Sequence, residues 1–269
     1  MIPADRVAPV LRALGIRGER ITECGRGWDS RALEVDETWM VLVPREPGIA
    51  RNHLKQARLL PWLAPRLPFA VPRPLLCGGL LVYRKLDGEP NTDWTGLPSA
   101  LRALHGADLG HAARCCDTAP NLDSWLRYYR DRREDARRIA DTLGALAGPL
   151  EEAFTAFFAG DWSSPAALVH GDLGREHVLA GNGGIRALID FGDATIGDPV
   201  QDFIGPYLEL GADRTADLIA EYGRPLPLER LAHYAWLGAL EAVLYGLRTG
   251  DRHELADGLN GLAERLARL

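Results

Sequence analysis

Between residues 166 and 199 two short apolar runs each empty into a turn crowded with ionisable side chains: AALVH–GDLGREH–VLA, then IRALIDF–GDATIGDP. The runs are too short for stable helices and read as strands. Gly171 permits a sharp turn after His170, and Asp172 follows it. His177 opens the apolar VLA, GNGG (181–184) makes a turn, and Asp190 lies near the end of the second strand. If the two strands pair as a hairpin, both turns share one edge, and Asp172, His177 and Asp190 converge. Polar caps on two surface turns explain any one of these residues. They explain the set poorly, because His177 and Asp190 abut apolar runs where an unpaired charge is costly. Two chemistries fit: phosphoryl transfer with Mg²⁺, or hydrolysis at a His/Asp metal site.

Charge narrows the partners. The chain has 269 residues, a net charge of -6 and 46% hydrophobic residues. That is enough apolar content for a sizeable core, and the acidity disfavours nucleic acid or an anionic membrane while suiting a cationic small molecule. Cys24, Cys77, Cys115 and Cys116 have neither zinc spacing nor a disulfide framework. No secretory leader and no long apolar run are evident, so a cytoplasmic protein is expected. Oligomeric state is not encoded legibly. Lysine occurs only at Lys55 and Lys85.

The chain divides in composition. Residues 4–14 read as a short helix, followed by strands at 20–24, 31–36 and 39–44, with Asp36-Glu37 as a hairpin turn. Residues 50–64 read as a helix disturbed near its end by Pro61, 70–79 as a proline-rich connector, and 80–86 as a strand. LDGEPNTDW (86–94) is a hinge. An α+β lobe (1–86) thus precedes a mainly helical one (87–269). In the latter, helices are expected at 99–107, 122–146 and 149–158, and four more near 199–210, 213–222, 228–247 and 251–268. RDRREDARR is a solvated helix face.

HGDLGREH followed by IDFGD resembles the antibiotic phosphotransferase branch of the kinase-like fold, which includes aminoglycoside and macrolide phosphotransferases. GRGWDSRALEV resembles that family's nucleotide loop, ARLLPWLA its helix after the third strand, and LVYRKLDGEP its hinge. LRALH and IGDPVQDF also match its habits. The resemblance implies an α+β, two-lobed protein-kinase-like fold: a small lobe with an antiparallel sheet and helix, and a larger helical lobe. It implies a phosphotransferase that moves the γ-phosphate of ATP or GTP to a hydroxyl of an aminoglycoside or macrolide. Asp172 is then the catalytic aspartate, and His177 and Asp190 hold Mg²⁺, His177 standing where many members carry asparagine. Gly25, Gly27 and Ser30, with Arg84 and Leu86 of the hinge, would bind the nucleotide. His170 would brace its loop, and Asp198 would cap the helix starting at Pro199.

For the acceptor, Glu241 lies deep in LERLAHYAWLGALEAVLY, on one helix face with Tyr234 and Tyr245. Such a carboxylate could hold an ammonium group or a sugar hydroxyl. The alternative is a core helix in which Glu241 pairs with an arginine such as Arg248. Asp202, Glu209 and Asp213 are further acids, read mainly as surface residues, with Asp202 kept beside Glu241 and Tyr245 as a substrate contact.

One pattern breaks. Leu42 falls where the family's third strand carries a cation, and Gln56 where a helix glutamate pairs with it. Their joint loss is coherent, since a buried carboxylate facing Leu42 would be unpaired. Lys85 sits in the hinge, and Lys55 projects roughly 100° away from Gln56. Arg26, Arg31 or Arg45 could reach the phosphates instead. A lost charge-assisted contact costs about 1.5–3 kcal/mol, roughly one to two powers of ten. A weak or inactive nucleotide-binding protein, a small-metabolite kinase, and a metal hydrolase using His170, Asp172, His177 and Asp190 stay open at this point.

Overall fold

The computed structural model describes residues 7–269 apart from Ser164, Asn182 and Gly183, and leaves the Arg26 side chain undescribed. Residues 4–6 of the expected first helix, the middle of the GNGG turn and the reach of Arg26 lie outside the described residues. Contacts divide the chain into two compact units. One comprises Met1–Thr118 with His170–Thr195, the other Ala119–Val169 with Ile196–Leu269. The segment carrying Asp172, His177 and Asp190 therefore belongs with the N-terminal sheet, although in sequence it lies far beyond Leu86.

In the first unit, helix α1 (Val7–Ala13) precedes strands β1 (Ile21–Arg26), β2 (Ser30–Val35) and β3 (Trp39–Pro44). Helix α2 (Ala50–Leu63) follows, then β4 (Leu75–Cys77) and β5 (Leu80–Arg84), giving an antiparallel sheet of order β1-β2-β3-β5-β4. The inner face follows from period-two patterning: Leu33 and Val35, Val41 and Val43, Leu80 and Val82 face one side and pack with Val7, Val10 and Leu11 of α1. Each buried side chain of this kind contributes about 1.5–3 kcal/mol. The Asp36-Glu37 turn forms as expected, both residues taking positive φ. The proline-rich connector, by contrast, holds β4. Its residues Leu75–Cys77 pair with Leu80–Val82 across Gly78-Gly79, both with positive φ.

Helix α2 buries His53, Gln56, Leu59, Leu60 and Leu63, one face at spacings of three and four. Pro61 does not end it. Pro61 lies in the last turn, and the Ala64 amide still reaches the Leu60 carbonyl at 2.9 Å. The expected hinge contributes a two-residue strand, β6 (Glu89–Pro90). Helices α3 (Leu97–His105) and α4 (Leu109–Cys116) complete the N-terminal stretch.

In the second unit, α5 (Asp123–Arg138), α6 (Ala140–Leu143) and α7 (Ala147–Ala159) lead to β7 (Ala167–Val169). The chain then crosses the first unit through β8 (Val178–Gly181) and β9 (Gly184–Leu188), which form a sheet of order β6-β8-β9. The run AALVH does not pair with IRALIDF, as a simple hairpin would require. β7 pairs instead with β10 (Thr195–Gly197), and the partner of β9 is the VLA run itself. Helix α8 (Ile204–Tyr222) is broken at Gly211 (φ 81°, ψ 177°), where the sequence reading separated two helices. Helices α9 (Arg230–Thr249) and α10 (Arg252–Leu266) pack together at glycines. A Cβ on Gly246 or Gly258 would lie 2.5–2.6 Å from the facing backbone. No helix of the described residues is long and apolar enough to cross a membrane.

Candidate active site

The β8–β9 hairpin sets the site. Val178 pairs with Leu188, and the Ile189 amide reaches the His177 carbonyl at 3.0 Å, so His177 and Asp190 flank the same end of one ladder. The second approach is made by Gly171. Its φ is 86°, and a Cβ there would lie 2.7 Å from the Asp193 carbonyl oxygen. Only glycine lets the turn after β7 lie this close to the turn after β9. His170 is buried, and its Nε2 donates to the Ile189 carbonyl at 2.9 Å. Its Nδ1 accepts from the Asp172 amide at 3.4 Å, so the ring braces the loop from both nitrogens.

His177 stands between two carboxylates. Its Nδ1 donates to the Asp172 carbonyl at 2.8 Å and lies 3.7 Å from Asp172 Oδ2, while Nε2 lies 3.7 Å from Asp190 Oδ2. Burial alone would lower its pKa, but the charges of Asp190 and Asp172 outweigh that and raise it. Both carboxylates are about half exposed, at 56% and 53% of the side chain. Asp190 adopts a left-handed backbone (φ 61°, ψ 67°), a strained conformation for a non-glycine residue, and its Oδ1 accepts from the Gly192 amide at 3.4 Å.

Among the described residues no group of three or more His, Cys, Asp or Glu is arranged to hold a metal. This leaves a four-ligand hydrolase centre without a basis in the geometry. It suits Mg²⁺ differently: that ion takes one or two protein carboxylates and completes its shell with phosphate oxygens and water. The Asp190 carboxylate fits such a partial donor set, with the His177 Nε2 3.7 Å from its Oδ2.

Loss of hydration, and then the charge of Asp172, push the Asp193 pKa up to about 7, with Lys55 opposing the rise. Lys55 Nζ donates to the Gly192 carbonyl at 2.6 Å, and burial lowers its pKa. The 100° offset does not keep Lys55 and Gln56 apart: Lys55 Nζ reaches the Gly192 carbonyl, and Gln56 Nε2 lies 3.9 Å from the position a Cβ on Gly192 would take. What the sequence did not reveal is that the other direction also leads to the site.

The candidate nucleotide loop is the β1–β2 turn. Gly25 lies within β1 at a register shift, paired with Ala32. Gly27 is in the turn, and neither residue takes positive φ, so a glycine-only tight turn is not the reason for either. Ser30 Oγ bonds His53 Nε2 at 3.0 Å, while His53 Nδ1 donates to the Gly79 carbonyl, also at 3.0 Å. Burial lowers the His53 pKa, which favours the neutral ring, and with Nδ1 donating to Gly79 the neutral ring's Nε2 accepts from the Ser30 hydroxyl. Asn52 Nδ2 donates to Asp29 Oδ2 at 2.8 Å. Asp29 belongs to the GRGWDS loop, whereas Asn52 and His53 carried no motif in the sequence.

Arg31 is taken up by Glu23 at 2.6 Å, and Lys85 by Glu34. The Arg45 amide bonds the Asp29 carbonyl at 2.9 Å, and Arg45 Nε is buried without a partner. Leu42 is half-buried between Ala32 and Leu81, and Gln56 is buried. Arg84 lies over the Trp39 ring at 4.5 Å, and Leu86 is half-buried.

In the second unit, Glu241 is held by α5. Tyr128 OH donates to it at 2.5 Å, and Arg132 lies 3.5 Å away, in place of Arg248. The Arg248 guanidinium lies over the Tyr245 ring instead. Tyr234 does not flank Glu241. It is buried and donates to Asp198 at 2.9 Å, beside Arg230 at 2.9 Å. Asp198 therefore caps Val200, as expected, and also anchors a buried ion pair. Asp202 is buried, not at the surface, whereas Glu209 and Asp213 are exposed.

Residues 20–237 match the Phosphotransferase enzyme family. The chain belongs to that family. Viomycin phosphotransferase of Streptomyces vinaceus is 37% identical over 109 residues, 36% of each chain, so the matched stretch spans about a third of that relative. Two solved structures share the kinase-like fold. A GDP complex of wild-type aminoglycoside 2'-phosphotransferase-IIIa superposes with a TM-score of 0.84 at 21% identity, covering 100% of this chain and 99% of that one. Macrolide 2'-phosphotransferase type I gives 0.76 at 22% identity, covering 96% of each.

Proposed function

We propose that this phosphotransferase-family chain transfers the γ-phosphate of ATP or GTP to a hydroxyl of a cationic small molecule, an aminoglycoside or macrolide antibiotic. The observation that carries the reading is the placement of two half-exposed carboxylates, Asp172 and Asp190, on opposite sides of His177. Asp172 aims the acceptor hydroxyl and takes its proton as the oxygen attacks the γ-phosphorus, the bond from that phosphorus to the β–γ bridging oxygen breaks, and the nucleoside diphosphate leaves. His177 holds the Asp172 backbone through its Nδ1. Asp190 and His177 would hold Mg²⁺, which when bound neutralises charge on the phosphate oxygens. On the donor side we assign Ser30, Gly25, Gly27 and the hinge residues Arg84 and Leu86, with Arg45 as the cation beside the loop. On the acceptor side we assign Glu241 and Tyr245 of the second unit, together with the buried Asp202. A cytoplasmic location suits such a donor.

A second reading, nucleotide binding with little turnover, is favoured by Leu42 and Gln56, which leave no cation on β3. One assay separates the two. The protein is incubated with Mg²⁺, ATP or GTP, and a panel of aminoglycosides, macrolides, viomycin and simple amino alcohols, and products are weighed for an added phosphate. Product that disappears in Asp172→Ala supports transfer, saturable nucleotide binding without product supports the second reading, and product formed without nucleotide refutes both.

A further inference from the structure

Helix α2 presents polar side chains at positions 52, 53 and 55 to two separate loops. Asn52 reaches Asp29 and His53 reaches Ser30, both in or beside the β1–β2 turn, while Lys55 reaches the Gly192 carbonyl. Helix α2 thereby links two attachment points, the β1–β2 turn and the Gly192 turn. Gly192 is bonded at both ends of its residue: its amide donates to Asp190 Oδ1, and its carbonyl accepts from Lys55. A left-handed Asp190 persists only where its surroundings over-determine it, and Lys55 supplies one of those constraints. The other lysine, Lys85, is spent on Glu34.

We propose that Lys55 is a positioning residue that locks the Asp190 turn in register with the β1–β2 loop, doing from α2 what a strand-to-helix ion pair through positions 42 and 56 would do. The inference rests on the reading of Asp190 as a metal-holding residue in a nucleotide site. Lys55 touches no phosphate in this scheme. It fixes a peptide, and through it a carboxylate.

The test is Mg²⁺-dependent nucleotide binding, measured by equilibrium dialysis with ATP and GTP, in the full chain. In Lys55→Met the Mg²⁺ concentration giving half-maximal binding rises about tenfold, the loss of one charge-assisted hydrogen bond. Nucleotide affinity in EDTA stays unchanged, and Lys55→Arg restores the Mg²⁺ dependence. A folded Lys55→Met with wild-type Mg²⁺ dependence overturns the inference and leaves the phosphotransferase reading intact. No nucleotide binding by the wild-type chain overturns both. Should Lys55→Met not fold, the wild-type chain decides, because it has only two lysines. Acylation by an N-hydroxysuccinimide ester, read by peptide mass, is slower at Lys55 with nucleotide and Mg²⁺ than with nucleotide and EDTA, while Lys85 reacts alike in both. Equal rates at Lys55 overturn the inference.

Discussion

At the residue scale the site depends on one atom that is missing. Gly171 has positive φ, and the space its Cβ would fill is held by the Asp193 backbone. Alanine there incurs about 1–2 kcal/mol for the left-handed conformation. It incurs a further ~1–3 kcal/mol for the overlap. Gly250, with φ 75° and open space around it, is the control, since alanine there meets only the first cost. Urea unfolding should show Gly171→Ala less stable than Gly250→Ala, and equal losses would mean the two turns do not need their close approach. The residues proposed to carry the chemistry were legible because they cluster in sequence: Asp172, His177 and Asp190 fall within 19 residues of one another. Asn52, His53 and Lys55 were not. Each is an ordinary helix residue until Asp29, Ser30 and Gly192 arrive from elsewhere in the chain.

At the element scale, periodicity gave most strands and helices of the first unit to within a residue or two, because each buries one face. It missed β4, whose Leu75 and Leu76 are exposed and whose surroundings are rich in proline. It also paired the wrong strands around Asp172, since a strand's partner is set by tertiary packing and leaves no mark on its own alternation. The charged run on α5 is more than a solvated face: Glu151 of α7 is clamped by Arg133 and Arg137 at 2.5 Å each. Hydrogen bonding from Arg133, then Arg137, lowers the Glu151 pKa from 4.5 to about 2. A depressed carboxylate stabilises the fold above its unfolded pKa, and that contribution is lost as pH falls through the folded value. Stability should therefore decline between about pH 4.5 and pH 2, and Glu151→Gln should flatten this part of the profile in thermal melts. A variant with an unchanged profile would show that the clamp is not formed in solution. The effect is modest, because the carboxylate is partly exposed.

At the scale of the whole molecule, the second unit is organised around Asp198, buried with Arg230 and Tyr234, and an aromatic cluster of Trp125, Tyr129, Phe157 and Tyr234. The first unit gathers every proposed metal and donor residue, including the returning segment His170–Thr195. A ligand that binds the native chain alone raises its stability by about 2.7 kcal/mol at a hundred times its dissociation constant. Mg²⁺ with ATP or GTP should thus raise the melting temperature of the wild-type chain, and Asp190→Ala should abolish the Mg²⁺-dependent part of the rise. A shift that persists in full in Asp190→Ala would remove Asp190 from the metal site.

The sequence by itself determined the fold class, the family resemblance and the identity of the acids at the site. Those rest on local composition and spacing, which the chain carries without folding. Tertiary structure alone decided that β8 and not β7 aligns His177 with Asp190, that Glu241 answers to Arg132 and Tyr128, and that Lys55 reaches the Asp190 turn. Each of these depends on which distant backbone fills the space beside a side chain, and that is a property of the packed chain.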